Sequence, residues 1–132
     1  MKHNFKDGNG PVPAHKHSNG GGWVADTARV DSLAYVGEHS QVYGNARVTW
    51  DVKVYGKARV CGNALIDEYA RVSGNALVDG NARIFGESKV RGNARVSGDV
   101  WIGRNAVVCG DAELDGDETI GEGKRIDTVG AM

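Results

Sequence analysis

A branched aliphatic residue stands at every sixth position of the chain from Val24 to Ile126, and this register continues through 18 hexads without a gap. A small residue, most often alanine, follows four positions after almost every one of these aliphatic residues. Self-similarity at a fixed period indicates a repeat architecture, in which each unit buries its apolar side chain against neighbouring units. We therefore interpret most of the chain as a solenoid whose unit is six residues long.

The order of residues within a hexad predicts one short strand followed by one corner. Ala46 and Val48 alternate with Arg47 and Thr49, and such alternation is the period of a strand with one buried face. The strands are separated by pairs that often read Gly-Asn. Glycine accepts a positive φ freely and asparagine tolerates it better than most residues, so these pairs are suited to turn the chain.

Three strands and three corners close one coil, so the 18 hexads predict six coils of a triangular solenoid. Residues 18 positions apart then stack in columns, at the usual sheet spacing of about 4.8 Å. One predicted core column consists of Val24, Val42, Val60, Val78, Val96 and Leu114. The sequence thus predicts an all-β fold with stacked aliphatic residues at its centre.

This hexad, with an aliphatic residue, two variable residues and a small residue, resembles the hexapeptide-repeat family. The resemblance implies a single-stranded, left-handed parallel β-helix, shaped as a triangular prism of about six coils. It also implies a parallel homotrimer and, for the enzymes of the family, acyl transfer from acyl-CoA. The Gly-rich start and the Gly-Asn-Ala repeats are also similar to small uncharacterised proteins of bacteria and their phages, a resemblance that implies no activity.

The chain divides into three segments around one predicted domain. Residues 1–22 form a Gly- and Pro-rich arm outside the repeat, residues 23–127 form the β-helix, and residues 128–132 form a short tail. An uncovered first coil would present open strand edges and exposed core. We therefore expect the arm to act as a cap.

Composition excludes several classes of partner. The formal net charge of −1 and the isoelectric point near 6.4 argue against a general nucleic-acid binder. The first residues contain no apolar run typical of a signal peptide, and no segment has the roughly 20 apolar residues of a membrane span. We therefore expect a cytoplasmic protein without a membrane partner.

Some corners break the Gly-Asn rule with large apolar side chains. Leu33, Trp50 and Tyr69 fall at the same corner of three successive predicted coils, and further apolar residues point outward from the two flanking faces. The predicted interface residues are Leu33, Tyr35, Trp50, Tyr55, Leu65, Tyr69, Phe85 and Trp101. Contiguous exposed aromatic surface marks interfaces, either between copies of the chain, as in a trimer, or with a foreign protein or a planar ligand.

A column of cations lies on the face that follows this corner. Lys53, Arg71 and Lys89 are 18 residues apart and Arg91 is adjacent, so like charges stand one strand spacing from each other and repel. One interpretation is structural, with compensation by nearby acids such as Asp51 and Glu87. The other is a site for a phosphate-bearing anion or a nucleotide.

Histidines offer a candidate catalytic base and a candidate metal site. His39 occupies a corner of the first coil, and acyltransferases of the resembling family use a histidine as base near a subunit interface. This chain has neither the extruded loop nor the C-terminal helix that shapes the acceptor pocket in those enzymes. His15 and His17 have a spacing that could bind a metal, but they lie in a Gly- and Pro-rich arm, and we expect no metal.

The sequence therefore favours a non-enzymatic binding or interaction module built on an oligomeric β-helix. In a phage setting, this would be an inhibitor or a ligand-sequestering protein, without a cofactor. The first alternative is an acyltransferase that uses acyl-CoA, with His39 as the base. The second is a structural polymer like a bactofilin, formed by end-to-end stacking.

Overall fold

The computed structural model describes residues 1–121 and 123–127, and the predicted tail at 128–132 lies outside them. Every regular element among the described residues is a β-strand, and this part of the chain contains no helix that could cross a membrane. The arm and the first coils contain β1 (Lys2–Asn4), β2 (Pro11–Lys16), β3 (Trp23–Ala25), β4 (Arg29–Val30), β5 (Tyr35–Val36), β6 (Gln41–Val42), β7 (Arg47–Val48) and β8 (Lys53–Val54). The middle coils contain β9 (Arg59–Val60), β10 (Leu65–Ile66), β11 (Arg71–Val72), β12 (Leu77–Val78), β13 (Arg83–Ile84) and β14 (Lys89–Val90). The last coils contain β15 (Arg95–Val96), β16 (Trp101–Ile102), β17 (Val107–Cys109), β18 (Glu113–Leu114), β19 (Thr119–Ile120) and β20 (Arg125–Asp127).

Three sheets enclose the core, and each coil contributes one strand to each sheet. The first sheet has the order β1-β2-β3-β6-β9-β12-β15-β18, the second runs from β4 to β19, and the third runs from β5 to β20. Within the coils every pairing is parallel and joins residues 18 apart, as Val48 with Ile66 and Ile66 with Ile84. The predicted all-β parallel β-helix of about six coils is confirmed, whereas its left hand stays a prediction of the resemblance.

The core consists of the aliphatic and small residues that the period predicts. From Val36 to Val108, the inward aliphatic and small residues are at most 1 % exposed. The pattern fails in the sixth coil, where Glu118 and Lys124 take the small position and both lie exposed. Leu114 and Ile120 are consequently less deeply buried than the aliphatic residues above them.

Glycine corners allow successive coils to stack closely. Gly44 has a φ of 67°, and a Cβ atom there would lie 2.9 Å from the backbone nitrogen of Gly62 in the next coil. Among the described residues, only the corner between the second and third sheets replaces this glycine repeatedly with larger residues, Trp50 and Glu68 among them, at φ values of 54° and 66°. A left-handed backbone costs roughly 1–2 kcal/mol per such residue, so this corner is locally strained.

Carboxylates of this corner hold the next coil in place. The Trp50 N–H donates to Asp31 Oδ2 at 2.9 Å, and the Gly86 N–H donates to Glu68 Oε1 at 2.8 Å. Both bonds link residues about one coil apart. They offset part of the conformational cost with charge-assisted hydrogen bonds.

The arm begins with a hairpin whose second strand extends the first sheet. β2 pairs antiparallel with both β1 and β3, the latter in the register of Ala14 with Ala25. The Phe5 ring is buried and stacks on Tyr43 with 4.8 Å between ring centroids, and the His3 ring stacks on Trp23 at 4.4 Å. Burial and, to a smaller extent, a hydrogen bond with Cys61 raise the pKa of Tyr43 to about 12, so its hydroxyl stays neutral beneath the arm.

The remainder of the arm lies along the free edge of the third sheet. His17 Nε2 donates to the carbonyl of Ala34 at 2.8 Å, and the Gly22 N–H donates to the carbonyl of Val36 at 2.9 Å. A Cβ atom at Gly22 would lie 2.3 Å from the carbonyl oxygen of Gly37, so only glycine allows this close approach. In the structure, residues of the arm thus contact both the face and the edge of the first coil.

Val72→Asp is expected to abolish cooperative folding, because Val72 is fully buried between coils and the substitution would bury an unpaired charge. The expected loss exceeds about 4 kcal/mol, the range of severe core substitutions. Ser73→Asp is the matched control, because Ser73 is the next residue and faces outward. Thermal unfolding followed by circular dichroism should show a lost transition for Val72→Asp only; a retained transition there would contradict the described core.

Candidate functional site

The four predicted basic residues lie on the outer surface of the third sheet. Arg71 of β11 is in register with Lys53 of β8 on one side and with Lys89 of β14 on the other. Arg91 follows Lys89 by two residues, so it points to the same side of the sheet. All four side chains are exposed.

No carboxylate neutralises this group within the described part of the chain. None of the side chains of Lys53, Arg71, Lys89 or Arg91 forms an ion pair within 4.0 Å of an Asp or Glu oxygen there. The expected pairing with Asp51 and Glu87 is therefore not observed. Like charges held one strand apart on a rigid sheet destabilise the sheet, so the fold retains an arrangement that costs it stability.

A shallow depression of about 430 Å³ lies between this column and the neighbouring corner. Its lining has two columns from three successive coils. The corner column is Tyr69, Glu87 and Asn105, and the column on the sheet is Arg71, Lys89 and Val107. Sequence reasoning did not assign Asn105 or Val107 to a site, although both lie in the 18-residue register of residues that it did assign.

The depression combines several chemical groups around one open space. Arg71 and Lys89 supply positive charge, Asn105 supplies an amide, Glu87 supplies a carboxylate, and Tyr69 supplies an aromatic ring that is 54 % exposed. Guanidinium and ammonium groups are strong donors to phosphate oxygens. The six described lining residues include no histidine, cysteine or serine.

The predicted aromatic edge is exposed as a series of separate side chains. Leu33, Trp50 and Tyr69 are 70 %, 61 % and 54 % exposed, in three successive coils of one corner. Leu33, Asp51 and Tyr69 occupy equivalent positions, 18 residues apart. Trp50 lies one residue before Asp51, at the position of the corner that has a positive φ. Among the described rings, those of Trp50 and Tyr69 make no aromatic contact.

The flanking apolar residues lie in two different environments. On the second sheet, the rings of Phe85 and Trp101 meet edge to face with 6.4 Å between centroids, and they share a depression of about 240 Å³ with Leu65. On the third sheet, Tyr55 is exposed, whereas Tyr35 is half-buried. The structure therefore divides the eight predicted interface residues between the corner and its two flanking faces.

The second sheet also places a cation on its aromatic cluster. The Arg83 guanidinium lies 5.1 Å from the centre of the Trp101 ring, and Arg83 is in register with Trp101. A cation over an indole face is a stabilising contact. Arg83 therefore has a partner on its own sheet, whereas Lys53, Arg71 and Lys89 have no ion pair or ring contact with a described residue.

The candidate histidines His15, His17 and His39 line neither the depression beside Arg71 nor the one beside Trp101. His39 is exposed at the corner between the third and first sheets, and its side chain makes no hydrogen bond with the described residues. His15 Nδ1 lies 2.7 Å from Asp26 Oδ1, whereas His17 bonds to the backbone of Ala34. Within residues 1–121 and 123–127, no cluster of three metal-ligating side chains is found.

Arg71→Gln is expected to raise the free energy of unfolding by about 0.2–1 kcal/mol at low ionic strength, because it removes a charge from between two like charges. The gain should shrink as salt screens the remaining repulsion. Lys57→Gln is the control, because Lys57 is an exposed corner residue that does not belong to the basic column. Urea unfolding of the three proteins at low and high salt measures the difference; equal effects of the two substitutions would contradict the unpaired column.

Comparison with known proteins supports the repeat architecture. A family model described as the YdcK beta solenoid repeat matches residues 40–56 and 70–86, each about one coil long. The search of curated proteins and the search of solved structures each found no significant match. The chain is a β-solenoid repeat protein, and two of its segments are similar to the YdcK repeat.

Proposed function

We propose that the protein is a non-enzymatic module that binds a phosphate-bearing small molecule on its third sheet. The observation that carries this proposal is the in-register column of Lys53, Arg71 and Lys89, with Arg91 beside it and without an ion pair to a described carboxylate. The activity that we propose for this module is sequestration of the ligand.

The rigid sheet suits this task. Each cation is attached to a strand whose backbone bonds to the coils on both sides, so little backbone entropy is lost when a ligand binds. Arginine presents a planar fork of donors that matches two phosphate oxygens, and lysine adds a compact point charge. Because the face is open to water, we expect the affinity to depend strongly on salt.

Inorganic pyrophosphate is the simplest probe of this site. We expect it to bind the intact chain, and the double variant Arg71→Gln/Lys89→Gln should weaken it at least about 100-fold, because two charge-assisted bonds of about 1.5–3 kcal/mol each are removed. Isothermal titration calorimetry at low salt measures the affinity, and the double variant Lys57→Gln/Arg59→Gln, at two exposed residues outside the depression, serves as the control for net charge. Absent binding, or equal losses in the double variant and the control, would refute the proposal.

We further propose that the aromatic edge joins copies of the chain, with Leu33 and Trp50 at the contact. Both side chains are largely exposed. They lie in the first two coils, which precede the coils that line the depression on the third sheet. Tryptophan is among the residues that contribute most to interface energy. The parallel trimer implied by the resemblance is one such assembly.

Trp50→Asp is expected to convert this assembly into monomers, because it removes an apolar anchor and adds a charge at the contact. Asp tolerates the left-handed backbone of this position, so the fold should be retained. Native mass spectrometry reports the number of subunits, and Leu77→Asp on the first sheet is the control. A monomeric wild-type protein would exclude self-association and leave the edge to a foreign protein.

The two alternative functions receive less support from the geometry. For acyl transfer, His39 would have to act near bound acyl-CoA. It lies at a different corner from the depression that Arg71 and Lys89 line. For end-to-end polymers, the first coil would have to stack on another copy, and the arm pairs with its strand β3. We therefore retain the binding module.

A further inference from the structure

We infer that the phosphate-bearing ligand is a nucleoside diphosphate, with its base on Tyr69, its ribose at Glu87 and its phosphates on Arg71 and Lys89. This inference rests on the proposed anion site and specifies what that site recognises. It is carried by the composition of the depression, in which one aromatic ring and one carboxylate accompany the cations.

Glu87 is the residue that simple phosphate binding does not explain. Its carboxylate lines the same depression as Arg71 and Lys89 and forms no ion pair with either within 4.0 Å. A negative charge at this place repels an inorganic polyanion. The same carboxylate accepts hydrogen bonds from hydroxyl groups, and a ribose presents two adjacent hydroxyls.

Tyr69 supplies a surface for a planar group at the rim of the same depression. Its ring is 54 % exposed and, among the described rings, has no aromatic neighbour. Aromatic side chains bind nucleobases by stacking, and every base has a suitable face. Arg71 follows Tyr69 by two residues on the same outer surface, so a base and a phosphate can be held side by side on one coil.

The spacing of the lining residues matches the order of groups in a nucleotide. Lys89 lies one coil further along the stack than Tyr69 and two positions further along its strand. The backbone positions of the two residues are therefore about 7–8 Å apart. Glu87 and Arg71 lie at the other two corners of the rectangle that has Tyr69 and Lys89 at opposite corners. A base at Tyr69 and phosphates at Lys89 therefore place the ribose between Glu87 and Arg71.

The size of the depression agrees with such a ligand. Its volume of about 430 Å³ lies within the range of about 300–1,000 Å³ that is typical of small-molecule sites. At the end away from Tyr69, Val107 adds an apolar side chain and Asn105 adds an amide. The site is open on its outer side, so the ligand stays partly in contact with water.

The test compares adenosine diphosphate with inorganic pyrophosphate on the intact chain by calorimetry. We expect the nucleotide to bind roughly 10-fold more tightly, since one stacking platform contributes about that factor. Tyr69→Ala should remove this difference and leave pyrophosphate affinity unchanged, while Tyr69→Phe should preserve it. Tyr55→Ala is the matched control, because Tyr55 is an exposed tyrosine on the same sheet that does not line the depression.

Glu87→Gln separates ribose recognition from phosphate repulsion, because each is measured by a different quantity. Loss of the negative charge should tighten pyrophosphate binding several-fold, while loss of the strong acceptor should weaken the preference for adenosine diphosphate over its 2′-deoxy analogue. Melting temperatures of all variants should match that of the wild-type protein, since the altered residues are exposed.

The outcomes separate this inference from the proposal on which it rests. If pyrophosphate and the nucleotide bind equally well and Tyr69→Ala changes neither, the nucleotide inference is wrong and the anion site stands. If Glu87→Gln leaves the preference for adenosine diphosphate over its 2′-deoxy analogue unchanged, the ribose assignment is wrong. If neither ligand binds, the anion site itself is refuted.

Discussion

The stacking of one coil on the next, through backbone hydrogen bonds in a strict 18-residue register, is the interaction on which the whole molecule depends. Because two-residue strands are too short to be stable alone, each is held by the strands of the coils on both sides. The interior has the same cross-section in every coil, so it accepts only residues of similar size at each inward position. Departures such as Glu118 end the regular core.

The same register determines what the outer surface can do. Any outward side chain has its nearest neighbours 18 residues before and after it, at about 4.8 Å, so functional groups accumulate as columns rather than as a pocket between loops. The depression beside Tyr69 consists of two such columns. A surface of this kind holds a ligand by an array of fixed groups, and it excludes water poorly. This favours recognition over catalysis, which depends on enclosed, preorganised groups.

Much of the fold could be predicted because the period of the sequence is the period of the structure. Strands, corners, core residues and the stacking of Arg71 between Lys53 and Lys89 all follow from counting by 6 and 18. The contacts of the arm could not be predicted in this way, since the packing of Phe5 on Tyr43 joins a segment without a period to the solenoid. The absence of ion pairs around the cations depends on side-chain conformation, which the register does not determine.

The corner between the second and third sheets shows where this protein departs from the most stable version of its own repeat. Glycine is the residue that its left-handed positions favour, yet Trp50 and Glu68 occupy two of them. On the sheet beside this corner, Lys53, Arg71 and Lys89 form no ion pair with a described carboxylate. Both features reduce stability. Among the described corners of the coils, left-handed residues other than glycine are confined to this one. The overall net charge of −1 conceals this concentration of positive charge. A regular solenoid has stability to spare in its repeated core, and the cost at this corner is the expected signature of a surface kept for binding.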